Sequence, residues 1–107
     1  MITKVEIYQV RKDIDERHDI SFMNYSYIKK VIPNLKRDLK NYYEKVYEYE
    51  EDFDNHTDEE ILESMFIKFN VNRPEDYRAQ SMSTSDIVIL DDSRMWFCDS
   101  YGWQEVD

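Results

Sequence analysis

The residue types best suited to metal chemistry lie in one short stretch of this chain. Their spacing matches positions one, three, five and twelve of an EF-hand calcium loop, and the residues are Asp52, Asp54, His56 and Glu63. Two features argue against that use. Thr57 stands at the sixth position, where the sharp turn needs glycine, and an imidazole is a poor ligand for a hard cation. We interpret the stretch as a loop that leads into a helix, and we expect neither a metal site nor a cofactor.

Residues that could act as nucleophiles or bases lack partners at a suitable spacing. Cys98 lies in an apolar strand pattern, where a thiol generally behaves as a small hydrophobic side chain, and His18 and His56 are far apart in the sequence. A polar cluster is formed by Ser81, Ser83, Ser85 and Asp86. Such short side chains commonly satisfy backbone groups where a loop enters a strand. No phosphate loop, C-x-x-C motif or H-E-x-x-H motif is present, so we assign no catalytic residues and do not expect an enzyme.

Charge is divided unevenly along the chain. Residues 1–40 hold 9 Lys/Arg and 6 Asp/Glu, a net of +3, whereas residues 41–107 hold 5 Lys/Arg and 18 Asp/Glu, a net of −13. The densest part is 44–63, which contains ten acidic residues and one base, Lys45. The aromatic residues in and beside this block are Tyr43, Tyr47, Tyr49 and Phe53. An acidic surface of this kind repels nucleic acid and anionic membranes and attracts basic clefts, so it favours protein binding.

Composition predicts a single domain over residues 1–107. The hydrophobic share of 41% is enough for one modest core, and the formal net charge is −10. No apolar run approaches the length of a membrane span, and the chain begins directly with a strand pattern, so we expect no signal peptide. The single cysteine cannot form an internal disulfide, and a cytoplasmic protein is therefore expected.

The first half of the chain predicts one strand and a largely helical stretch. Val5 and Ile7 alternate with polar residues within 2–10, which is typical of a half-buried strand. The charged segment 11–19 is interpreted as a loop. Apolar residues at three- and four-residue steps predict a helix over 21–32, and a helical spacing resumes from Leu35 toward Tyr43.

The second half predicts strands on both sides of one helix. Residues 43–49 are rich in tyrosine and favour a strand, although a continued helix is also compatible with them. A capping box that begins at Thr57 predicts a helix over about 58–69, with Asn70 as its C-cap. Residues 87–90 and 95–101 flank a turn and predict a hairpin.

The expected fold is α+β. It comprises a small antiparallel sheet of about three or four strands, including the C-terminal hairpin, packed with two or three helices. Phe66 and Phe69 are predicted to lie in the core, because both belong to the apolar stripe of the 58–69 helix.

A series of motifs from residue 42 onward resembles a known family. The motifs are Tyr43-x-x-Val46-Tyr47, Ile61-Leu62-x-x-Met65-Phe66, Phe69-Asn70-x-x-x-Pro74-x-Asp76-Tyr77, Ser81-Met82-Ser83-x-Ser85-Asp86-Ile87-Val88 and Trp96-Phe97-x-Asp99-Ser100-x-Gly102-Trp103. They are similar to the YodL-like domain, over residues 42–107. Ala79-Gln80 departs from the family pattern, in which a glycine is common there. The resemblance implies an α+β domain without agreed catalytic residues. It also implies a setting in bacterial chromosomes, conjugative elements and phages, near anti-defence genes.

These observations lead to one main hypothesis. The chain is expected to be an anti-CRISPR-like inhibitor from a phage or other mobile element, which binds a basic nucleic-acid-handling protein such as an RNA-guided CRISPR nuclease. Its acidic surface would compete with guide or target nucleic acid, with Tyr47 and Tyr49 as apolar anchors. The predicted partner-binding residues are Glu44, Tyr47, Glu48, Tyr49, Glu50, Glu51, Asp52 and Asp54.

Several alternatives remain open from the sequence. A general protein-interaction domain would use secondary contact residues, which are Trp96, Tyr101 and Trp103. A metal-dependent nuclease acting on guide RNA is a second alternative. The acidic block is also compatible with a solvated face that has no specific partner. A homodimer is compatible too, with the basic stretch 29–40 of one copy against the acidic block of another.

Overall fold

The computed structural model describes residues 2–14 and 20–106. Five strands form one sheet: β1 (Ile2–Val10), β2 (Tyr43–Asp52), β3 (Ile87–Leu90), β4 (Arg94–Cys98) and β5 (Trp103–Glu105). Three helices accompany the sheet: α1 (Tyr25–Val31), α2 (Leu35–Tyr42) and α3 (Asp58–Val71). Residues 12–14 are also helical, which makes the predicted loop over 11–19 wrong at that point, and residues 15–19 lie outside the described part. The described residues thus contain four helical segments, one more than the two or three predicted. The predicted α+β class is confirmed.

The sheet has the order β2-β1-β3-β4-β5, and every neighbouring pair is antiparallel. The β3–β4 hairpin is confirmed, whereas the prediction of three or four strands is wrong. The strand without a sequence signal is β5, whose 3 residues are too few to show alternation. Strand β2 lies at one edge of the sheet. Its pairing with β1 contains a bulge, since Ile7 is opposite Tyr47 while Tyr8 is opposite Lys45.

Helices cover both faces of the sheet. On one face, which we call the α1–α2 face, Tyr8, Ile87 and Phe97 pack under the first two helices. On the other, the α3 face, Ile7 and Val88 pack under α3. Buried strands between two helical layers account for the continuous apolar sequence of β3, Ile-Val-Ile-Leu.

Polar caps determine where the helices begin. The side chain of Asn24 accepts a hydrogen bond from the Tyr27 N–H, so α1 starts at Tyr25 and not at residue 21 as the spacing predicted. At α3 both bonds of the predicted capping box are present: Thr57 Oγ1 accepts from the Glu60 N–H, and Glu60 Oε1 accepts from the Thr57 N–H. The predicted C-cap is wrong, because α3 continues through Val71.

The apolar stripe of α3 is narrower than the sequence predicted. Its buried residues are Ile61, Leu62, Met65 and Phe69. Phe69 is fully buried as predicted, but Phe66 is 37% exposed, so its assignment to the core is wrong. At about 100° per residue, Phe66 lies about 40° beyond Leu62, at the margin of the stripe, which is enough to bring part of the ring to the surface.

Within residues 2–14 and 20–106, no helix combines the length and apolar character needed to cross a bilayer. The longest, α3, has 14 residues, and its first turn carries three acids.

Candidate functional site

Strand alternation separates the tyrosines of β2 from most of its acids. Tyr47 and Tyr49 project onto the α3 face, where their ring centroids lie 5.6 Å and 5.7 Å from that of Phe69. Tyr47 also contacts the ring of Tyr77 edge-on at 5.4 Å, and its hydroxyl donates to Asp76 at 2.7 Å. Both tyrosines are half-buried by these contacts. They therefore hold the edge strand against α3, and they do not share a surface with the acids that alternate with them.

Most of the acids of β2 lie on the opposite side of the sheet. Lys45 Nζ contacts Glu6 Oε2 at 3.3 Å and Glu48 Oε1 at 2.7 Å, and Glu6 also accepts from the Tyr8 hydroxyl. Tyr8 belongs to the core of the α1–α2 face, which fixes the side of the sheet that these groups occupy. By the two-residue period, Glu50 follows Glu48 on this side.

We call Glu48, Glu50 and Asp52 the acidic row. All three side chains are exposed. Glu6 lies opposite Glu48 on β1 and is only 6% exposed, so it adds a nearly buried carboxyl beside the row. The hydrogen bond from Lys45, assisted by its charge and that of Lys4, lowers the pKa of Glu48. Asp92 is a fifth carboxyl beside this group, since its Oδ1 lies 3.0 Å from Lys4 Nζ. Five carboxyls and two lysines thus lie close together, and the surface keeps an excess of negative charge.

The other predicted acids are dispersed. Glu51 projects onto the α3 face, where Lys68 Nζ lies 3.4 Å from its carboxylate and 4.6 Å from the centre of the Tyr49 ring. Glu44 lies opposite Gln9 at the far end of the strand. Asp54 belongs to the turn before α3, and its N–H donates to Asp52 Oδ1 at 3.1 Å. The eight residues predicted as one binding set therefore occupy several separate surroundings.

The calcium-like spacing does not produce a cluster of ligands. Asp52 accepts from the backbone of the following turn, His56 Nδ1 lies 2.9 Å from the carbonyl oxygen of Asp54, and Glu63 projects from α3 beside Phe66. Among residues 2–14 and 20–106, no group of three or more His, Cys, Asp or Glu side chains is arranged to hold a metal ion. The interpretation of this stretch as a loop leading into a helix is confirmed.

The Ser/Asp cluster ties three parts of the chain together. Ser85 Oγ accepts from the Phe22 N–H at 3.0 Å, and Asp86 Oδ2 accepts from the Ser83 N–H at 3.0 Å. The hydroxyl of Tyr43, at the start of β2, donates to the Ser85 carbonyl at 2.7 Å. The predicted role of these side chains, satisfying backbone groups at the entry to a strand, is confirmed for Ser85 and Asp86.

Asp86 supplies the carboxyl group of this cluster, and its pKa is strongly raised. Burial raises its pKa to about 7, although hydrogen bonds from the Ser83 N–H and from Gln9 Nε2, at 3.2 Å, act in the opposite direction. The carboxyl borders a cavity of about 450 Å³ whose lining also includes Glu44, Lys45 and Arg78. Cations and anions share this lining, so the cavity has no single charge preference. Nothing in the sequence indicated that Gln9, on β1, would reach this cluster.

The predicted secondary contact residues differ in exposure. Trp96 is half-buried, and its Nε1 donates to Asp58 Oδ2 at 3.2 Å, which makes it a link between β4 and α3. Tyr101 is 99% exposed. Trp103 and Phe66 line a second cavity of about 240 Å³ between α3 and the end of β4. Phe66 and Trp103 share this lining, and Tyr101 precedes Trp103 by two residues in the chain. We call these three residues the aromatic patch.

Cys98 borders the same cavity but is buried, and burial raises the pKa of its thiol to about 12. The expectation that it packs as a small hydrophobic side chain agrees with this placement. Phe66 is the one member of the aromatic patch that sequence reasoning placed in the core. Its position at the margin of the buried stripe of α3 is the sequence feature that could have indicated partial exposure.

Comparison with known proteins places the chain in a family by a single match. No curated protein and no solved structure is significantly similar to it. The family model for the YodL-like domain matches residues 4–107, so the predicted start near residue 42 is wrong. The longer match agrees with the fold, because β1 lies between β2 and β3 and no sheet of this order exists without it. The chain belongs to the YodL-like domain family.

Proposed function

We propose that this chain is a non-enzymatic protein-binding module that occupies a basic, nucleic-acid-binding surface of its partner. The observation that carries the proposal is the acidic row, three exposed carboxylates on one side of an edge strand with Glu6 beside them. Successive members of the row are about 7 Å apart along the strand, so they present a line of negative charge. Such a line is complementary to a cleft that otherwise holds a nucleic-acid backbone.

The structure changes the part that the tyrosines play in this mechanism. Tyr47 and Tyr49 pack against Phe69 on the α3 face, so they support the strand from behind. Support of this kind limits the conformational entropy that the edge strand loses on binding. The contact surface of the proposal is therefore the acidic row, to which the nearly buried Glu6 adds negative charge, and not the full set of eight residues.

The finer proposal is that the partner is an RNA-guided CRISPR nuclease and that the interaction takes place in the bacterial cytoplasm. Support for it comes from the negative charge of the surface and from the setting in mobile elements that the family resemblance implies. By occupying the basic channel of the nuclease, the acidic row would hinder binding of guide or target nucleic acid.

The test is affinity capture from a bacterial lysate, at low and at high salt, with the captured proteins identified. The double variant Glu48→Gln/Glu50→Gln removes two charges with little change in shape. The matched control is Glu75→Gln/Glu105→Gln, which removes two exposed charges away from the row. We expect the wild type and the control to capture a nucleic-acid-handling protein, and the row variant to retain at least about tenfold less of it. High salt should also release that protein. Equal capture by the row variant would contradict the proposal.

A second candidate function rests on the aromatic patch. Exposure of Tyr101 and the half-buried indole of Trp103 suit a general protein-interaction surface without nucleic-acid mimicry. Its binding would be insensitive to salt and would be lost in Trp103→Ala. The same capture experiment therefore separates the two functions, because each predicts that binding is lost in a different variant and that it depends differently on salt.

A further inference from the structure

We infer that the outer edge of β2 accepts an extended basic segment of the partner as a sixth strand of the sheet. This inference rests on the proposed function and specifies how the partner is bound. In strand addition the main-chain groups of the edge supply hydrogen bonds, and alternate side chains of the incoming strand supply specificity.

The first observation is the length of the edge and its position in the sheet. Strand β2 has 10 residues, and β1 is the one strand of the described sheet that pairs with it, so no described strand lies along its outer side. The opposite edge, β5, has 3 residues. Natural sheets usually keep exposed edges short, since unpaired edges associate with other chains. The two edges of this sheet therefore differ, and only β2 offers a template for a full strand.

The second observation is the charge pattern along that edge. The acidic row occupies one side of β2 and the tyrosines the other. An added strand would place its own side chains alternately beside these two sets. A segment that alternates Lys or Arg with apolar residues fits both sides, with its cations beside Glu48 and Glu50 and its apolar residues beside the Tyr47 and Tyr49 rings.

The same pattern argues against a second copy of this chain as the occupant. Two β2 strands side by side would bring carboxylates against carboxylates, which is destabilising. The basic stretch 29–40 of a second copy is not an extended segment, because most of it lies in α1 and α2. The acids thus protect the edge from self-association and leave it open to a basic strand.

The test uses a ten-residue synthetic peptide that alternates lysine with valine, followed by backbone amide hydrogen exchange of the full chain. We expect the peptide to bind and to slow exchange of outward amides within 43–52 by at least about tenfold. Two further peptides carry N-methyl groups, one on every lysine amide and one on every valine amide. In an added strand, the N–H groups of every second residue point toward the sheet, so these donors are either all on lysine or all on valine. Strand addition therefore requires that at least one of the two N-methylated peptides fails to bind.

The outcomes separate this inference from the proposed function. If all three peptides bind equally, with binding lowered in Glu48→Gln/Glu50→Gln but no slowing of exchange within 43–52, strand addition is wrong and charge-based binding stands. If no peptide binds but the row variant still fails to retain the captured partner, strand addition is wrong and the proposed function stands. If peptide binding and partner capture are both unchanged in Glu48→Gln/Glu50→Gln, strand addition and the proposed function are both wrong.

Discussion

Substitution of Asp86 by Asn should remove a pH dependence from the stability of this domain. Asp86 is 4% exposed, and burial raises its pKa from an ordinary value of 3.8 to about 7. As the pH rises from about 4, the unfolded chain releases the proton first, while the folded chain keeps it until about pH 7. The folded state therefore holds more protons across this window. The contribution of Asp86 to the free energy of unfolding is therefore largest below pH 4, and it decreases as the pH rises to about 7.

The size of the effect follows from the two pKa values. The interval between 3.8 and about 7 corresponds to about 4 kcal/mol of unfolding free energy. A domain of this size typically has about 5–15 kcal/mol in total, so the effect is measurable. Asn at position 86 keeps an oxygen that can accept from the Ser83 N–H and from Gln9 Nε2, and it does not titrate.

The assay is urea unfolding of the wild type and of Asp86→Asn at intervals between pH 4 and pH 8. Carboxyls whose pKa is lowered by lysine neighbours, such as Glu48 and Asp92, make stability rise with pH in the acid range. Their contribution is common to both proteins and cancels in the difference. We expect the variant to gain up to about 4 kcal/mol relative to the wild type between pH 4 and pH 8. A difference that stays constant across this range would refute the burial argument.

Two other predictions concern α3 and the cavity beside it. Phe69→Ala should lose about 3–5 kcal/mol of unfolding free energy, and Phe66→Ala should lose less than half as much, because only Phe69 is fully buried. Urea unfolding of both variants measures this, and equal losses would show that the two rings are packed alike. Cys98 should react with iodoacetamide at pH 8 far more slowly in the folded protein than in urea, because burial raises the pKa of its thiol to about 12. Equal labelling rates in the two states would contradict the burial of this residue.

Local signals were sufficient for most of the secondary structure. Alternation of Val5 and Ile7 predicted β1, and the Thr57 capping box predicted the start of α3, because both depend on neighbours within a few residues. The expectation that β1 is half-buried was wrong, since Glu6 and Tyr8 on its other face are buried too. The weaker predictions were those that needed distant residues. The bounds of α1 depended on a cap at Asn24 that the apolar spacing ignored, and β5 exists only because it pairs with β4.

The candidate site shows the same division. Tyr47 and Tyr49 were predicted to share a surface with the acids between them, since the sequence interleaves the two residue types. Once β2 is a strand, its two-residue period sends the tyrosines and the acidic row to opposite sides of the sheet. Which side of β2 is packed against a helix then depends on the position of α3, which covers the face that Tyr47 and Tyr49 share.

The sequence by itself determined the excess of negative charge after residue 40, the capping box of α3, the β3–β4 hairpin and the membership of the YodL-like domain family. Composition, caps and short-range alternation carry these properties, and none of them requires contacts between distant segments. Only the tertiary structure decided that β2 is an edge strand and that Asp86 meets Gln9. Strand order and burial arise from long-range packing, which no local pattern of residues encodes.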